Sequence, residues 1–183
     1  MKDGSKLNIV DEAGNIVGED TRENIHAQGL LHREVHVWFF TPQRELIFQH
    51  RSKTAETYPD LLDATVGGHV EIGDTYESAA IKEMEEETSV KVMTEDLMFV
   101  KMLRTTMHDE VTGRINNALR AVYAYRYNGK LDDLRIEVGQ GLGFETWPLH
   151  KILHVSDSDR PRFIPSIFSD QTLEIFRAIS TFN

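Results

Sequence analysis

The chain contains no cysteine. This absence removes disulfide bonds, thiolate zinc sites, iron–sulfur clusters and a cysteine nucleophile, so nothing in the chain requires an oxidising compartment. Long hydrophobic runs are also missing: no stretch approaches the roughly 18 apolar residues of a membrane span, and the N-terminus MKDGSKLNIV lacks a signal-peptide core. We therefore expect a soluble, cytoplasmic protein that has no membrane partner.

Basic residues are few in this chain. Twenty Lys and Arg residues stand against 30 Asp and Glu residues, which gives a formal net charge of −10. This balance argues against a nucleic-acid polymer as a partner, because a basic patch is the usual footprint of that interaction. It still allows a small polyphosphate ligand, provided that a metal ion supplies positive charge.

Proline and glycine are present in ordinary amounts, with 5 and 12 residues among 183, and 40% of the residues are hydrophobic. That is enough for a core. No linker, repeat or low-complexity segment divides the chain, so we expect one domain over residues 1–183. The sequence leaves open whether two copies form a homodimer.

Hydrophobic periodicity and turn residues predict strands mixed with a few helices, which favours an α/β or α+β fold. The predicted strands cover 7–10, 16–17, 35–40, 46–49, 97–104, 119–127 and 143–148, and the first two form an N-terminal hairpin. The predicted helices cover 21–28, 75–88 and 169–181. Residues 58–66 are predicted to be irregular, and 105–117 to form a polar loop.

Three glutamates share one face of the central predicted helix. Glu83, Glu86 and Glu87 are related by steps of three and four residues, which brings their Cβ atoms to about 5–6 Å from each other. Like charges at this spacing repel, whereas hard divalent cations prefer oxygen ligands of this kind. The Gly67–Gly68 turn could add a backbone carbonyl, since glycine allows close approach. The alternative is an ordinary solvated acidic face.

The wider pattern around this helix resembles the Nudix box. That motif runs Gly, five residues, Glu, seven residues, Arg-Glu-apolar, one residue, Glu-Glu, one residue, Gly, apolar. Six of the nine motif positions agree in type and spacing, and the departures are Asp74 for Glu, Lys82 for Arg and Ser89 for Gly. The nine positions are Gly68, Asp74, Lys82, Glu83, Met84, Glu86, Glu87, Ser89 and Val90.

The resemblance to the Nudix family implies a fold in which a mixed β-sheet is sandwiched between α-helices. It implies hydrolysis of a diphosphate bond in a small molecule, such as a nucleoside diphosphate linked to another moiety. It further implies Mg²⁺ or Mn²⁺ bound by Glu83, Glu86, Glu87 and Gly68, with the three glutamates and Lys82 as catalytic residues. In that chemistry the metal activates a water molecule that attacks phosphorus.

Roughly residues 8–90 also resemble type 1 isopentenyl-diphosphate isomerases, which share the Nudix fold. The resemblance is carried by residues 10–17, 26–37, 49–53, 58–59 and 68–69. In the isomerases three histidines and two glutamates bind a metal, and His26, His32 and His69 fall at or near the histidine positions. The resemblance thus implies a second metal site, and the alternative for these histidines is a hydrogen-bonding or core role.

The rest of the isomerase machinery is missing. Gly67 stands at the position of the catalytic cysteine, and Ile115 and Asn117 align with the two metal-binding glutamates. Isomerisation needs an acid and a base on opposite faces of one carbon centre, and this chain offers neither that cysteine nor those carboxylates. We therefore expect a Nudix hydrolase of the isomerase-like subgroup.

Arg51 and Lys53 are candidate substrate-binding residues, because basic side chains near a phosphate site often hold phosphate. A solvated strand end explains them equally well. Three functional hypotheses follow from the sequence: a metal-dependent pyrophosphohydrolase, an isopentenyl-diphosphate isomerase, and a degenerate module that binds a nucleotide or a protein without turnover. The missing cysteine argues against the second, and the departures at Asp74, Lys82 and Ser89 favour the third modestly.

Overall fold

A computed structural model describes residues 5–136, 139 and 141–182. The strands are β1 (Lys6–Val10), β2 (Ile16–Thr21), β3 (His32–Phe40), β4 (Glu45–Arg51), β5 (Leu62–Asp63), β6 (Val66–His69), β7 (Met98–His108), β8 (Ile115–Arg126) and β9 (Gly141–Pro148). The helices are α1 (Arg22–Gln28), α2 (Tyr76–Thr88), α3 (Leu149–Ile152) and α4 (Asp170–Ile179), with short 3₁₀ turns between elements. Within the described ranges, no helix is long and apolar enough to cross a bilayer.

Strand β3 lies at the centre of a mixed sheet. It pairs in parallel with β8, from His32 opposite Ala118 to Phe40 opposite Arg126. Its other edge pairs antiparallel with β6 through residues 34–37 and with β4 through residues 39–40. Strands β5 and β9 add to β4, and β7 adds to β8. The order β5-β4-β3-β8-β7 therefore brings distant parts of the chain around one central strand.

The two faces of the sheet carry different helices. Side chains of successive strand residues point to opposite faces, and in β3 Val35 and Val37 join the core that includes Met84 of α2. Trp38 and Phe40 of the same strand belong to the opposite core, which includes residues of α4. The central sheet is thus flanked by helices, and the fold class predicted from the sequence is confirmed.

The N-terminal hairpin and the first helix are confirmed. Strands β1 and β2 pair antiparallel, although β2 runs to Thr21 rather than ending at residue 17. The Thr21 hydroxyl caps α1 by accepting from the Asn24 N–H at 3.2 Å, and Gly29 ends the helix in the left-handed conformation. This short helix carries His26 and brings it near the first residue of β3, His32.

Two segments predicted to be irregular contain strands. The predicted polar loop over 105–117 is wrong, because β7 extends to His108 and β8 begins at Ile115, leaving a turn of six residues. Polar residues alternate with less exposed ones along this part of β7, as expected at a sheet edge with one solvated face. The segment 58–66 likewise contains β5 and the start of β6.

Helix α2 ends in a left-handed cap, although Ser89 stands where the pattern that resembles the Nudix box has glycine. Ser89 adopts the left-handed conformation with φ 62°, and its N–H donates to the Glu85 carbonyl at 3.0 Å. Glycine takes this conformation without steric cost, so Ser89 keeps the cap at a cost of about 1–2 kcal/mol. At the other end, the Thr75 hydroxyl accepts from the Ser78 N–H.

Candidate active site

Helix α2 presents Glu83 directly against the backbone of β6. A Cβ atom added to Gly68 would lie 2.2 Å from both Cδ and Oε1 of Glu83, closer than any real contact. Only glycine therefore permits this approach, which explains in physical terms why a glycine precedes the helix at this distance. Glu83 is consequently pressed between the helix and the sheet.

The surroundings of Glu83 disfavour its negative charge. Burial, followed by the nearby charge of Glu86, raises the pKa of the Glu83 carboxyl to about 7. Lys82 opposes this shift only in part. A carboxylate that is desolvated beside other carboxylates is stabilised by a cation, and oxygen ligands of this type suit Mg²⁺ and Mn²⁺. The carboxylates present therefore fit a hard divalent cation.

Hydrogen bonds from residues of β6 and β4 hold the Glu87 carboxylate. Its Oε2 accepts hydrogen bonds from the Gly67 N–H at 3.3 Å and from Gln49 Nε2 at 3.4 Å. Glu86, one position earlier, is exposed to solvent. The structure thus brings Glu83 and Glu87 against neighbouring residues of β6, with Glu86 beside them at the surface.

Lys82 and Asp74 link α2 to the segment that follows β6. Lys82 Nζ lies 2.5 Å from Glu71 Oε2 in the turn before α2, and Asp74 Oδ1 accepts from the Ser78 hydroxyl at 3.0 Å. The Lys82 contact fastens the middle of α2, and the Asp74 contact its first turn, to the segment that follows β6. Lys82 forms an ion pair with Glu71, and the catalytic role predicted for Lys82 stays a prediction.

The Arg51 guanidinium forms hydrogen bonds with residues that follow it in the chain. Its NH1 donates to Asp63 Oδ2 at 2.9 Å, and its NH2 donates to the Thr57 carbonyl at 2.9 Å. Lys53, by contrast, is exposed. These bonds explain Arg51 as a clamp of the 52–60 loop, and the phosphate-binding roles of both residues stay predictions.

The three predicted histidines converge from separate elements. His26 comes from α1, His32 from the first residue of β3 and His69 from the last residue of β6. One ring nitrogen from each lies within 4.8 Å of the others, and the Nε2 atoms of His26 and His69 are 3.0 Å apart. The fold therefore brings the three histidines together, and their role as metal ligands stays a prediction.

The surroundings of His26 and His69 favour the neutral form of both rings. Burial is the main cause that lowers the pKa of His26 to about 4 and that of His69 to about 3. His32 Nδ1 lies 3.0 Å from the Leu30 carbonyl, which makes Nδ1 the protonated nitrogen. Its Nε2 is buried and forms no hydrogen bond with any residue the structure describes. A metal ion at that position would satisfy this buried nitrogen, which is otherwise costly to leave without a partner.

Glu34 completes this cluster and was missed in the sequence. Its Oε1 lies 3.7 Å from His32 Nε2 and 3.6 Å from His69 Nε2. Although burial alone would raise it, the Arg120 guanidinium holds the pKa of Glu34 well below its usual range. Asn116 Nδ2 donates to the same Oε1 at 2.8 Å. The cluster therefore offers three imidazoles and one ionised carboxylate.

Strand β6 separates the two groups of ligands. Gly67 and Gly68 receive Glu87 and Glu83 from α2, and the next residue, His69, belongs to the histidine cluster. Asn117, at a position where the isomerases carry a glutamate, instead donates from Nδ2 to the Gly29 carbonyl at 2.8 Å. The carboxylate of the cluster thus comes from β3, not from β8.

Comparisons with known proteins agree with this architecture. The family model described as NUDIX domain matches residues 30–163. An uncharacterized Nudix hydrolase of Streptomyces coelicolor is 35% identical over 123 residues, a match that covers 67% of this chain and 65% of that protein. The chain thus spans slightly less than two thirds of the length of this relative.

Solved structures show the same fold. The crystal structure of DR0079 from Deinococcus radiodurans superimposes with a TM-score of 0.68 at 22% identity, covering 94% of this chain and 98% of that one. The Nudix domain of Shewanella oneidensis NrtR, solved with ADP ribose, gives 0.57 at 16% identity and covers 83% of this chain and 88% of that one. The chain belongs to the NUDIX domain family.

Proposed function

We propose that this protein is a metal-dependent hydrolase that cleaves a diphosphate bond in a nucleoside diphosphate linked to another moiety, or in a related compound. The observation that carries the proposal is the burial of Glu83 against Gly68 beside two further glutamates of the same helix. Like charges at this spacing repel each other, and a cation shared with a diphosphate would offset that repulsion.

Glu83, Glu86, Glu87 and the Gly68 backbone would hold Mg²⁺ or Mn²⁺. When bound, such an ion neutralises phosphate charge and lowers the pKa of a bound water. The chain itself orients the ligands: the Gly67 N–H and Gln49 fix Glu87, and the absent side chain of Gly68 leaves room for Glu83. One glutamate of this face accepts the proton of the water that attacks phosphorus.

The direct test is incubation of the purified protein with Mg²⁺ or Mn²⁺ and a panel of diphosphate compounds, followed by product identification by mass. ADP ribose belongs in the panel, because a Nudix domain of the same fold is solved with it. Isopentenyl diphosphate is the comparison compound. We expect cleavage of at least one diphosphate bond and loss of that activity with EDTA. Binding without cleavage across the panel would instead indicate a binding module.

Gly68→Ala tests whether the close approach of Glu83 matters. The added methyl would occupy the position of the Glu83 carboxyl, so this carboxylate must move away from β6. Because supporting contacts of metal ligands are worth about 10- to 100-fold in activity, we expect kcat/KM to fall by that factor. Gly18→Ala is the matched control, since its Cβ would meet only Ile9 Cδ1 at 3.7 Å. Equal activity of the two variants would contradict this role of Gly68.

We further propose that His26, His32, His69 and Glu34 form a second metal site. The buried Nε2 of His32 and the nearby Glu34 carboxylate support it. Imidazole ligands suit Zn²⁺ or Mn²⁺ better than Mg²⁺. The cluster also supports placement in the isopentenyl-diphosphate isomerase-like subgroup, although Gly67 at the cysteine position gives no isomerase chemistry. The single domain over 1–183, the cytoplasmic location and the homodimer stay predictions.

His26→Ala tests the second site, because His26 is half-buried and its removal least disturbs the core. We expect the affinity for Zn²⁺ to fall at least about 10- to 100-fold, as measured by competition with a chelator in excess Mg²⁺. Excess Mg²⁺ keeps the glutamates occupied during the titration. His150→Ala, an exposed histidine on α3, should bind Zn²⁺ as the unmodified protein does. Unchanged Zn²⁺ affinity in His26→Ala would exclude His26 as a ligand.

A further inference from the structure

The loop over residues 52–60 contains two residues in the left-handed backbone conformation, and neither is glycine. Tyr58 has φ 47° and Asp60 has φ 61°. This conformation brings Cβ close to the following carbonyl oxygen, so residues other than glycine adopt it at a cost in free energy. Such a conformation persists only where the surroundings impose it, and it is concentrated at binding and catalytic sites. Each of the two positions therefore needs its own explanation.

Asp60 is explained by the contacts of its side chain and backbone. Its Oδ1 lies 2.9 Å from His50 Nε2, and its N–H donates to the Ser52 carbonyl at 3.3 Å. Tyr58 has no comparable contact, because its side chain is 37% exposed and its hydroxyl forms no hydrogen bond with any residue in the described ranges. These contacts therefore explain Asp60 and leave the aromatic side chain of Tyr58 unexplained.

Two arginines hold the backbone directly before Tyr58. The Arg51 guanidinium donates from NH2 to the Thr57 carbonyl at 2.9 Å. Arg114, in the turn between β7 and β8, donates from NH1 to Glu56 Oε2 at 2.5 Å. Because these contacts restrain the two residues that precede Tyr58, they help to maintain its strained conformation.

The loop lies at the end of the sheet where both proposed metal sites are found. Strands β4 and β6 run antiparallel to β3, so both end toward the start of β3. The parallel strand β8 begins at the same end. His32 and His69 stand at two of these strand ends, and Arg51, the last residue of β4, leads into the loop. The loop therefore starts at the edge of the sheet that carries the proposed ligands.

One side of the loop adjoins the glutamate face of α2. Gln49 Nε2 donates to Glu87 Oε2 at 3.4 Å, and Gln49 precedes Arg51 by two residues in β4. Residues two apart in a strand share one face and are about 7 Å apart. Arg51 therefore projects from the same face of β4 as Gln49. The Thr57 carbonyl that Arg51 binds, and with it the start of Tyr58, lie on the side of the sheet where a diphosphate would be held.

We propose that Tyr58 is a substrate-contacting residue whose ring lies against an apolar face of the group attached to the diphosphate. This inference rests on the proposed diphosphate hydrolysis. An aromatic ring offers a large apolar surface, and contact with a second flat group adds to the effect of burial. The strained backbone then serves to hold the ring beside the substrate. The phenol hydroxyl is not needed for this contact, so phenylalanine should replace tyrosine without loss.

Calorimetry with three analogues tests the proposal without turnover, because a methylene bridge replaces the anhydride oxygen in each. One analogue carries adenosine, one carries an isopentenyl group, and methylenediphosphonate carries neither. In Mg²⁺ buffer we expect at least one substituted analogue to bind more tightly than methylenediphosphonate, and its identity distinguishes a ring from a hydrocarbon. Tyr58→Gly should reduce this advantage about 3- to 10-fold, whereas Tyr58→Phe should keep it.

Arg44→Gly is the matched control. Arg44 has φ 60° in the turn between β3 and β4, at the opposite end of β3 from His32. Glycine relieves the same kind of strain there, so the preference among the analogues should not change. In urea denaturation Tyr58→Gly should not lower the midpoint, since glycine adopts φ 47° without steric cost.

The proposal is wrong if neither substituted analogue binds more tightly than methylenediphosphonate, or if Tyr58→Gly keeps their advantage. A lower urea midpoint with an unchanged preference would show that the ring only packs the loop. Tyr58-dependent binding without cleavage of any unmodified diphosphate would overturn the hydrolase proposal and support the contact. Cleavage with a preference that does not depend on Tyr58 would do the reverse.

Discussion

Glu86→Gln lowers kcat for the best diphosphate substrate by about 10²- to 10³-fold, with the fold intact. Glu86 is exposed, so a neutral side chain of the same size costs little folding free energy. It removes one of the three negative charges expected to hold the divalent cation. A catalytic metal contributes several kcal/mol to transition-state stabilisation, and each 1.36 kcal/mol corresponds to a factor of ten in rate. Steady-state kinetics at saturating Mg²⁺ measures the loss.

Glu85→Gln is the matched control for this substitution. Glu85 precedes Glu86 in α2, and both residues are exposed. The Glu85 carboxylate forms an ion pair with Lys91 at 2.8 Å and does not belong to the face that carries Glu83, Glu86 and Glu87. Surface ion pairs of this kind contribute about 0–1 kcal/mol, so kcat should stay within about twofold. If the two variants lose activity equally, or if Glu86→Gln stays fully active, the three-glutamate metal site is wrong.

Phe48→Ala lowers the free energy of unfolding by about 3–5 kcal/mol, the usual cost of removing a fully buried phenylalanine ring. Phe48 is 0% exposed in the centre of the core beneath α4. Its ring contacts Phe163 at 5.1 Å and Phe176 at 6.3 Å between centroids, which joins β4 to the C-terminal segment. Urea denaturation followed by circular dichroism gives the change as a shift in midpoint.

Phe99→Ala is the control for Phe48→Ala, because it removes a phenylalanine ring that lies outside the core. Phe99 lies on the edge strand β7 and is 57% exposed, so its truncation should cost less than about 1 kcal/mol. A loss in Phe48→Ala no larger than in Phe99→Ala would mean that the C-terminal core contributes little to stability.

The glutamate face could be predicted from the sequence because it depends only on local geometry. Helical spacing alone places Glu83, Glu86 and Glu87 on one side of α2, and a long fixed pattern locates the glycine before the helix. The fold class followed from the same pattern. What the sequence could not give is the depth at which Glu83 lies, since this depends on β6 and its pairing with β3.

Glu34 was missed because its role depends on contacts between distant segments. Alternation along a strand places His32 and Glu34 on one face of β3, and this signal is present in the sequence. However, Arg120 reaches Glu34 only through the parallel pairing of β3 with β8, which sequence periodicity does not specify. The isomerase pattern places the metal-binding carboxylates at 115–117, where this chain has none.

The three departures from the Nudix box have local explanations. Asp74 still hydrogen-bonds within the first turn of α2, and Ser89 still forms the left-handed cap. Lys82 forms its ion pair with Glu71, a contact that needs one point charge rather than the planar fork of arginine. The substitutions therefore preserve the position of the helix, which weakens the case for a degenerate module.

Three consecutive residues of β6 serve both proposed metal sites, so a change in the length of this strand during evolution would alter both sites at once. Gly67 and Gly68 receive the glutamates, while His69 faces the histidines. A one-residue slip of a strand exchanges its two faces. A single insertion or deletion within β6 would therefore carry His69 toward the helix and remove the gap occupied by Glu83. A descendant of this chain can lose either site by point substitution, but a length change in this strand abolishes both together.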